Sequence, residues 1–157
     1  RNEQAMDFDF ALVKEQTRDN PVFYVQYAHA RACSVFRTAE NELPALELSG
    51  AELSRAPLEL LVSPADLELI KVVAQWPRNV AAAALAHEPH RIAFYLYELA
   101  AAFHAFWAKG KDDKSLRFVN PEDLKLTVAR LALVGAVRQV LVNGLTVLGV
   151  SAPDELS

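Results

Sequence analysis

Two tyrosines and an arginine are spaced so that they would share one side of a helix. Tyr24, Tyr27 and Arg31 are three and four residues apart, which places them on one helical face. Aromatic rings and arginine planes stack on unpaired bases, and a guanidinium also pairs with phosphate. The face therefore suits a flat, anionic, hydrogen-bonding ligand such as an unstacked nucleotide. The alternative is a half-buried core edge with wet hydroxyls and a solvated or ion-paired arginine.

His29 and Cys33 lie four residues apart in the same stretch, a spacing that suits a reactive dyad or half of a metal site. Closed zinc sites use four ligands, however, and Cys33 is the single cysteine of the sequence. His87 and His90 flank Pro89, which breaks the helical geometry that would aim both rings at one ion. The five glycines are scattered and form no phosphate-binding loop. We therefore expect no metal site and no catalytic residue in this chain.

The helix that carries these residues has a marked start. Asn20 can cap the free N–H groups, and Pro21 suits the first helical position because its missing N–H would be unpaired there. The predicted helix runs to Arg37. Residues 1–19 are predicted to be a tail, in which residues 11–17 make two helical turns at most, and the folded domain is expected to span residues 20–157.

Four further helices follow from capping signals, prolines and apolar periodicity. They are predicted after Ser63, over residues 78–87, from His90 to Gly110, and from Asn120 to about Leu148. The third of these has a core stripe formed by Ile92, Leu96, Leu99, Phe103 and Phe106. The last is apolar most of the way round, which predicts a central position, with its wet side marked by Arg130, Arg138, Gln139 and Asn143. The sequence therefore predicts an all-α helical bundle.

Composition and charge narrow the function classes. The net charge of −4 argues against indiscriminate nucleic-acid binding, DNA included, because such binding needs a basic footprint. Residues 40–70 hold seven acids and one base, so the rest of the chain is neutral to slightly basic. A single cysteine fits a reducing compartment. With no apolar run of about 18 residues and no signal pattern, we expect a cytoplasmic protein without a membrane partner.

Three stretches carry a resemblance to a known family. Residues 20–31, NPVFYVQYAHAR, are similar to the signature that opens the C-terminal anticodon-binding domain of arginyl-tRNA synthetases, especially the bacterial type. Residues 88–106 resemble its second conserved stretch, in which an acid–proline pair precedes a Tyr-Leu helix and a Phe-His turn. Residues 129–156 resemble its closing helix and tail. The resemblance covers nearly the whole chain and implies the DALR-type helical bundle of class I aminoacyl-tRNA synthetases.

The resemblance also implies which residues bind RNA. Tyr24, Tyr27 and Arg31 would contact the anticodon stem and loop of tRNA-Arg. Tyr95 matches the tyrosine that faces the anticodon loop in the family. Leu156 stands where the family usually has a methionine that touches the anticodon region, so an apolar contact survives and a sulfur-specific one does not.

Other implied roles concern the rest of the enzyme. Gln26 and His29 are expected to orient the first helix or to pack against the catalytic domain of the same enzyme. The His-Ile-Gly-His and Lys-Met-Ser-Lys type motifs of the family are absent, so this chain alone would be inactive. The parent enzyme would attach arginine to tRNA with ATP and Mg²⁺. The alternatives are a helical protein-interaction module and the anticodon domain of a related synthetase, such as a cysteinyl or glycyl type.

Overall fold

A computed structural model describes residues 20–156. Within that range the chain forms helices and no strand, which confirms the predicted all-α class. The predicted tail over residues 1–19, with its two helical turns, lies outside the described residues. The α-helices are α1 (Pro21–Glu42), α2 (Gly50–Leu53), α3 (Pro64–Ala74), α4 (Trp76–Ala86), α5 (His90–Asp112) and α6 (Leu124–Val147), with 3₁₀ turns at Leu58–Leu60 and Lys114–Leu116.

Side-chain caps fix where the main helices begin. The Oδ1 atom of Asn20 accepts hydrogen bonds from the first-turn N–H groups of α1, at 3.1 Å from Val22. Ser63 and Asp66 form a reciprocal capping box at the start of α3. α1 continues beyond the predicted end at Arg37, because Ala39 on its last turns is still buried against the core.

α6 lies at the centre of the bundle, as predicted, and packs against α1, α3 and α5. Its length and composition alone would let it cross a membrane, but 56% of its most apolar window is buried inside the fold. Core helices of globular proteins can be equally long and apolar. Burial by neighbouring helices therefore accounts for the apolar residues on all sides of α6. α6 starts later than predicted, at Leu124, because Asp123 rather than Asn120 caps it. The predicted core stripe of α5 is buried throughout, from Ile92 to Phe106.

The prediction that Arg130 marks the wet side of α6 is wrong. Arg130 is 2% exposed, and its Nε atom lies 3.1 Å from Oδ1 of Asp66, which is also buried. Its Nη1 atom donates to the carbonyl oxygens of Ser115 and Arg117. The buried guanidinium therefore has a carboxylate counter-ion and two carbonyl partners, and it joins α6 to α3 and to the loop after α5.

Candidate nucleic-acid interface

α5 meets α1 at a surface that is formed by Tyr27, Arg31 and Trp107. We call it the ring–guanidinium surface. α1 contributes Tyr27 and Arg31, and α5 contributes Trp107. The Arg31 Cζ atom lies 4.4 Å from the centroid of the Tyr27 ring and 4.0 Å from that of Trp107. Tyr27 is 39% exposed, and the other two side chains are half-buried. The guanidinium is therefore held beside two aromatic faces and remains accessible from solvent.

The partners of Arg31 leave its charge available. None of the ion pairs formed among residues 20–156 involves Arg31. Its guanidinium donates to the Tyr27 hydroxyl and, over 2.8 Å, to Nδ1 of His104. Because a guanidinium only donates, that imidazole nitrogen must accept, which means that the hydrogen bond requires a neutral His104. The Lys111 ammonium lies 4.2 Å from the Trp107 ring centroid and adds a second positive charge.

Two shallow cavities flank the ring–guanidinium surface and share its three residues. One has a volume of about 410 Å³ and is also lined by Arg37 and Leu156. The other has a volume of about 380 Å³ and reaches Phe23 and Lys111. Volumes of a few hundred Å³ are in the range of small-ligand sites, so each cavity can take a base-sized group. Leu156, predicted at the site from the resemblance, does line the first cavity.

Tyr24 does not lie on the open face on which its spacing had placed it. Only 8% of Tyr24 is exposed. Its ring packs against those of Tyr97 and His104, with centroids 5.0 Å and 4.8 Å away. The expectation of an open ring at this position is wrong, because α5 covers most of this side of α1, but Tyr24 still lines part of the second cavity. Tyr24 instead packs against His104, the residue that accepts the hydrogen bond from Arg31.

Tyr95 lies in the core, which corrects its predicted position facing the anticodon loop. It is 3% exposed, its ring packs on Trp76, and its hydroxyl donates to the Val72 carbonyl at 2.9 Å. Burial, followed by the nearby charge of Glu98, raises the pKa of Tyr95 to about 12. The hydroxyl thus joins α5 to the end of α3 and is unavailable to an external ligand.

Gln26 and His29 contact the C-terminal end of this chain. The Nε2 atom of Gln26 donates to the Ser151 carbonyl at 2.9 Å. His29 is buried, and its Nδ1 atom lies 2.9 Å from the Pro153 carbonyl. Both side chains therefore order the chain end along α1, a role compatible with the prediction that they orient this helix.

The end of the chain also brings a carboxylate to His29 and Cys33. One ligand atom from each of His29, Cys33 and Asp154 lies within 4.8 Å of the other two. No local sequence pattern pointed to Asp154, because it follows Cys33 by more than a hundred residues. Burial raises the pKa of the Cys33 thiol, and the hydrogen bond to Asp154 raises it further. The thiol proton is therefore held in the hydrogen bond to Asp154, and a metal ion would have to displace it to bind here.

Trp107, Lys111 and His104 were not among the predicted site residues. The local signal was weak, because Trp107 lies at the edge of the apolar stripe of α5, four residues after Phe103, and Lys111 follows it by one helical turn. His104 lies within the Phe-His part of the stretch that resembles the family, but it has no distinguishing spacing of its own. What the sequence could not show is that this part of α5 packs against α1.

The fold defines an all-α helical domain, and comparison with known proteins identifies its family. The sequence profile described as "DALR anticodon binding domain" matches residues 25–156. The chain belongs to the DALR anticodon-binding domain family.

Related proteins and structures agree with that family. The chain is 58% identical to the arginine–tRNA ligase of Methylobacterium sp. (strain 4-46), over 99% of this chain and 27% of that protein. A Thermus thermophilus arginyl-tRNA synthetase structure matches 96% of this chain and 24% of its own, with a TM-score of 0.72 and 30% identity. A Campylobacter jejuni structure matches 99% of this chain and 31% of its own, with a TM-score of 0.80, and at 22% identity it supports the fold alone. The chain thus spans about 27% of the length of its curated relatives.

Proposed function

We propose that this chain binds the anticodon loop of tRNA-Arg through its ring–guanidinium surface, as the C-terminal domain of an arginine–tRNA ligase. The observation that carries the proposal is the environment of Arg31. Its charge lies between the rings of Tyr27 and Trp107 and has no carboxylate partner among residues 20–156. A cation without a protein counter-ion, beside accessible aromatic faces, suits an unpaired base and its phosphate.

Each side chain has a distinct role in this proposal. Trp107 and Tyr27 offer ring faces on which loop bases stack, and Arg31 pairs with a phosphate or with a base edge. Leu156 supplies an apolar wall of the adjoining cavity. Tyr24 acts indirectly, by supporting His104. Tyr95 makes no RNA contact in this proposal, because its hydroxyl is hydrogen-bonded inside the core.

The consequence for the parent enzyme is positioning. Holding the anticodon arm rigidly would help to deliver the acceptor end of the tRNA to a distant catalytic domain of the same polypeptide. Attachment of arginine would use ATP and Mg²⁺ bound by that domain, and the reaction would take place in the cytoplasm. The identity of the curated relatives favours arginine over the cysteinyl and glycyl alternatives.

A titration of the chain with three RNAs tests the proposal. Fluorescently labelled tRNA-Arg, the same tRNA with a substituted anticodon, and an RNA duplex are compared by anisotropy at fixed salt, because phosphate contacts make affinity salt-dependent. We expect binding to tRNA-Arg that is weakened by anticodon substitution and is weakest for the duplex. Equal indifference to all three RNAs would contradict the proposal and favour the protein-interaction module.

A further inference from the structure

The C-terminal tail, residues 151–156, lies along one face of α1 beside the ring–guanidinium surface. Four α1 side chains contact it, and we call them the tail-binding row: Gln26, His29, Cys33 and Arg37. Their spacings of three, four and four residues place them on one helical face. This face is adjacent to, and distinct from, the one that carries Tyr27 and Arg31.

The first half of the row binds tail carbonyl groups. Gln26 donates to the carbonyl of Ser151 and His29 to that of Pro153, each at 2.9 Å. A carbonyl oxygen only accepts, so the Nδ1 atom of His29 must carry the proton in this contact. The His29 side chain is buried, so its bond is shielded from competing water.

The second half of the row binds the acidic end of the tail. The Cys33 thiol donates to Oδ1 of Asp154 at 3.4 Å. Arg37 donates to the Asp154 carbonyl at 3.4 Å and lies 3.6 Å from the Glu155 carboxylate. These contacts are partly exposed and therefore weaker than those of His29, but they continue the same register.

The dimensions of helix and tail match. A helix rises 1.5 Å per residue, so the row from Gln26 to Arg37 extends about 16 Å. An extended tail from Ser151 to Glu155 covers about 13 Å. Both segments run in the same direction, since higher-numbered row residues contact higher-numbered tail residues. The tail is therefore bound along nearly its whole length.

We infer that the tail-binding row positions Leu156 as a wall of the RNA-binding cavity, an inference that rests on the proposed function. Leu156 follows directly after the last bound residue, and it lines the cavity together with Tyr27 and Trp107. Outside a helix, each chain residue fixed on binding costs on the order of 1 kcal/mol of conformational entropy. A tail that is already ordered avoids that cost when RNA binds. Gln26 and His29 are thus positioning residues that act on RNA through Leu156.

Release of the tail can be measured without RNA. Carboxypeptidase digestion of the 157-residue chain, followed by intact-mass spectrometry, reports how often the chain end opens. We expect Gln26→Ala with His29→Ala to speed removal of the tail residues by about tenfold or more. When His29→Asn replaces His29→Ala, the asparagine keeps an N–H donor near the position of Nδ1. Slow removal of the tail residues should then be restored. Gln139→Ala is the matched control, because Gln139 bonds Asn143 on the outer side of α6.

Binding measurements then test the link to RNA. In the double variant, with the fold verified by circular dichroism, affinity for an anticodon stem–loop should fall about tenfold. Leu156→Ala should cost affinity in the otherwise unchanged chain and little further in the double variant, as expected of coupled residues. Gln26→Ala alone changes a half-exposed side chain and should give a smaller effect of the same sign.

The outcomes separate the two proposals. Unchanged trimming of the double variant would overturn the role of the row in holding the tail. Faster trimming with unchanged RNA affinity would overturn the positioning role, while the proposed function stands. Failure of the unsubstituted chain to bind RNA would overturn the proposed function and with it the link from the row to RNA, whereas the trimming rates would still report on the tail.

Discussion

Arg31 and Arg130 are both helical arginines beside an aromatic ring, yet their surroundings differ in the feature that decides their roles. Arg130 is buried, with Asp66 and two carbonyl oxygens as partners. Arg31 is half-buried and has a hydroxyl, an imidazole nitrogen and two ring faces as neighbours. A buried guanidinium must be neutralised where it lies, whereas a partly exposed one without a counter-ion can accept an external anion. The partner set therefore distinguishes a structural arginine from a candidate binding one.

The largest effect is expected at the buried arginine. Arg130→Ala should lower the free energy of unfolding by about 3–5 kcal/mol, because Asp66 would remain buried without its partner. Urea denaturation followed by circular dichroism measures this change. A loss below about 1 kcal/mol would show that Asp66 is neutralised in another way, and it would remove the contrast with Arg31.

Trp107 should matter for RNA binding and, because it also packs against the core, for folding. Trp107→Ala is expected to weaken binding of the anticodon stem–loop by about 1–3 kcal/mol, the range for one stacked base. Trp107→Phe keeps a smaller ring and should lose less. Trp76→Phe is the control, since Trp76 packs on Tyr95 away from the surface. Equal affinities in all three folded variants would count against stacking at this position.

Arg31→Ala sharpens the comparison directly. Binding of tRNA-Arg should weaken by about 1–3 kcal/mol, and the salt dependence should fall by about one counter-ion if the contact is to a phosphate. The stability loss should be about 1–2 kcal/mol, smaller than that of Arg130→Ala, because two uncharged-partner hydrogen bonds and weak ring contacts are lost but no buried carboxylate is left unpaired. Arg55→Ala serves as the control, since Arg55 is exposed and pairs with Glu52. A stability loss as large as that of Arg130→Ala would make Arg31 structural.

The smallest effect is expected at Tyr95. Removal of its hydroxyl in Tyr95→Phe should cost about 0.5–1.5 kcal/mol of stability and leave RNA affinity unchanged. The pKa of Tyr95 is about 12 in the folded protein and near 10 in the unfolded chain. The protonated hydroxyl therefore favours folding below pH 10, and this contribution is lost as the pH rises toward 12. The loss of stability over this interval, about 2–3 kcal/mol for this group, should be reduced in the variant. Weaker RNA binding by folded Tyr95→Phe would contradict its assignment to the core.

The sequence predicted what repeats along one helix and missed what depends on helix packing. The α5 stripe from Ile92 to Phe106 was correct, because a 3.6-residue period is a local signal. Arg130 was misplaced, because an almost wholly apolar helix offers no period from which to tell its inner side. Its partner Asp66 lies 64 residues earlier, and no local pattern joins them.

The candidate site was predicted in part for the same reason. Tyr27 and Arg31 share a helical face, and the structure keeps both accessible. Tyr24 shares that face by spacing, but α5 covers it, and the same packing brings Trp107 over Arg31. Helical periodicity cannot show which neighbouring helix lies over a face. The misplacement of Tyr24 and the omission of Trp107 therefore both arose from the contact between α1 and α5.

The most direct test uses Trp107 as a reporter of its own contact. The sequence has two tryptophans, so Trp76→Phe leaves Trp107 as the only one. Stepwise addition of an anticodon stem–loop of tRNA-Arg should quench Trp107 emission with the same midpoint as binding measured by anisotropy of the labelled RNA. A stem–loop with a substituted anticodon should quench it only at higher concentration. RNA binding that saturates without any change in Trp107 emission would contradict the claim that this surface holds the anticodon loop.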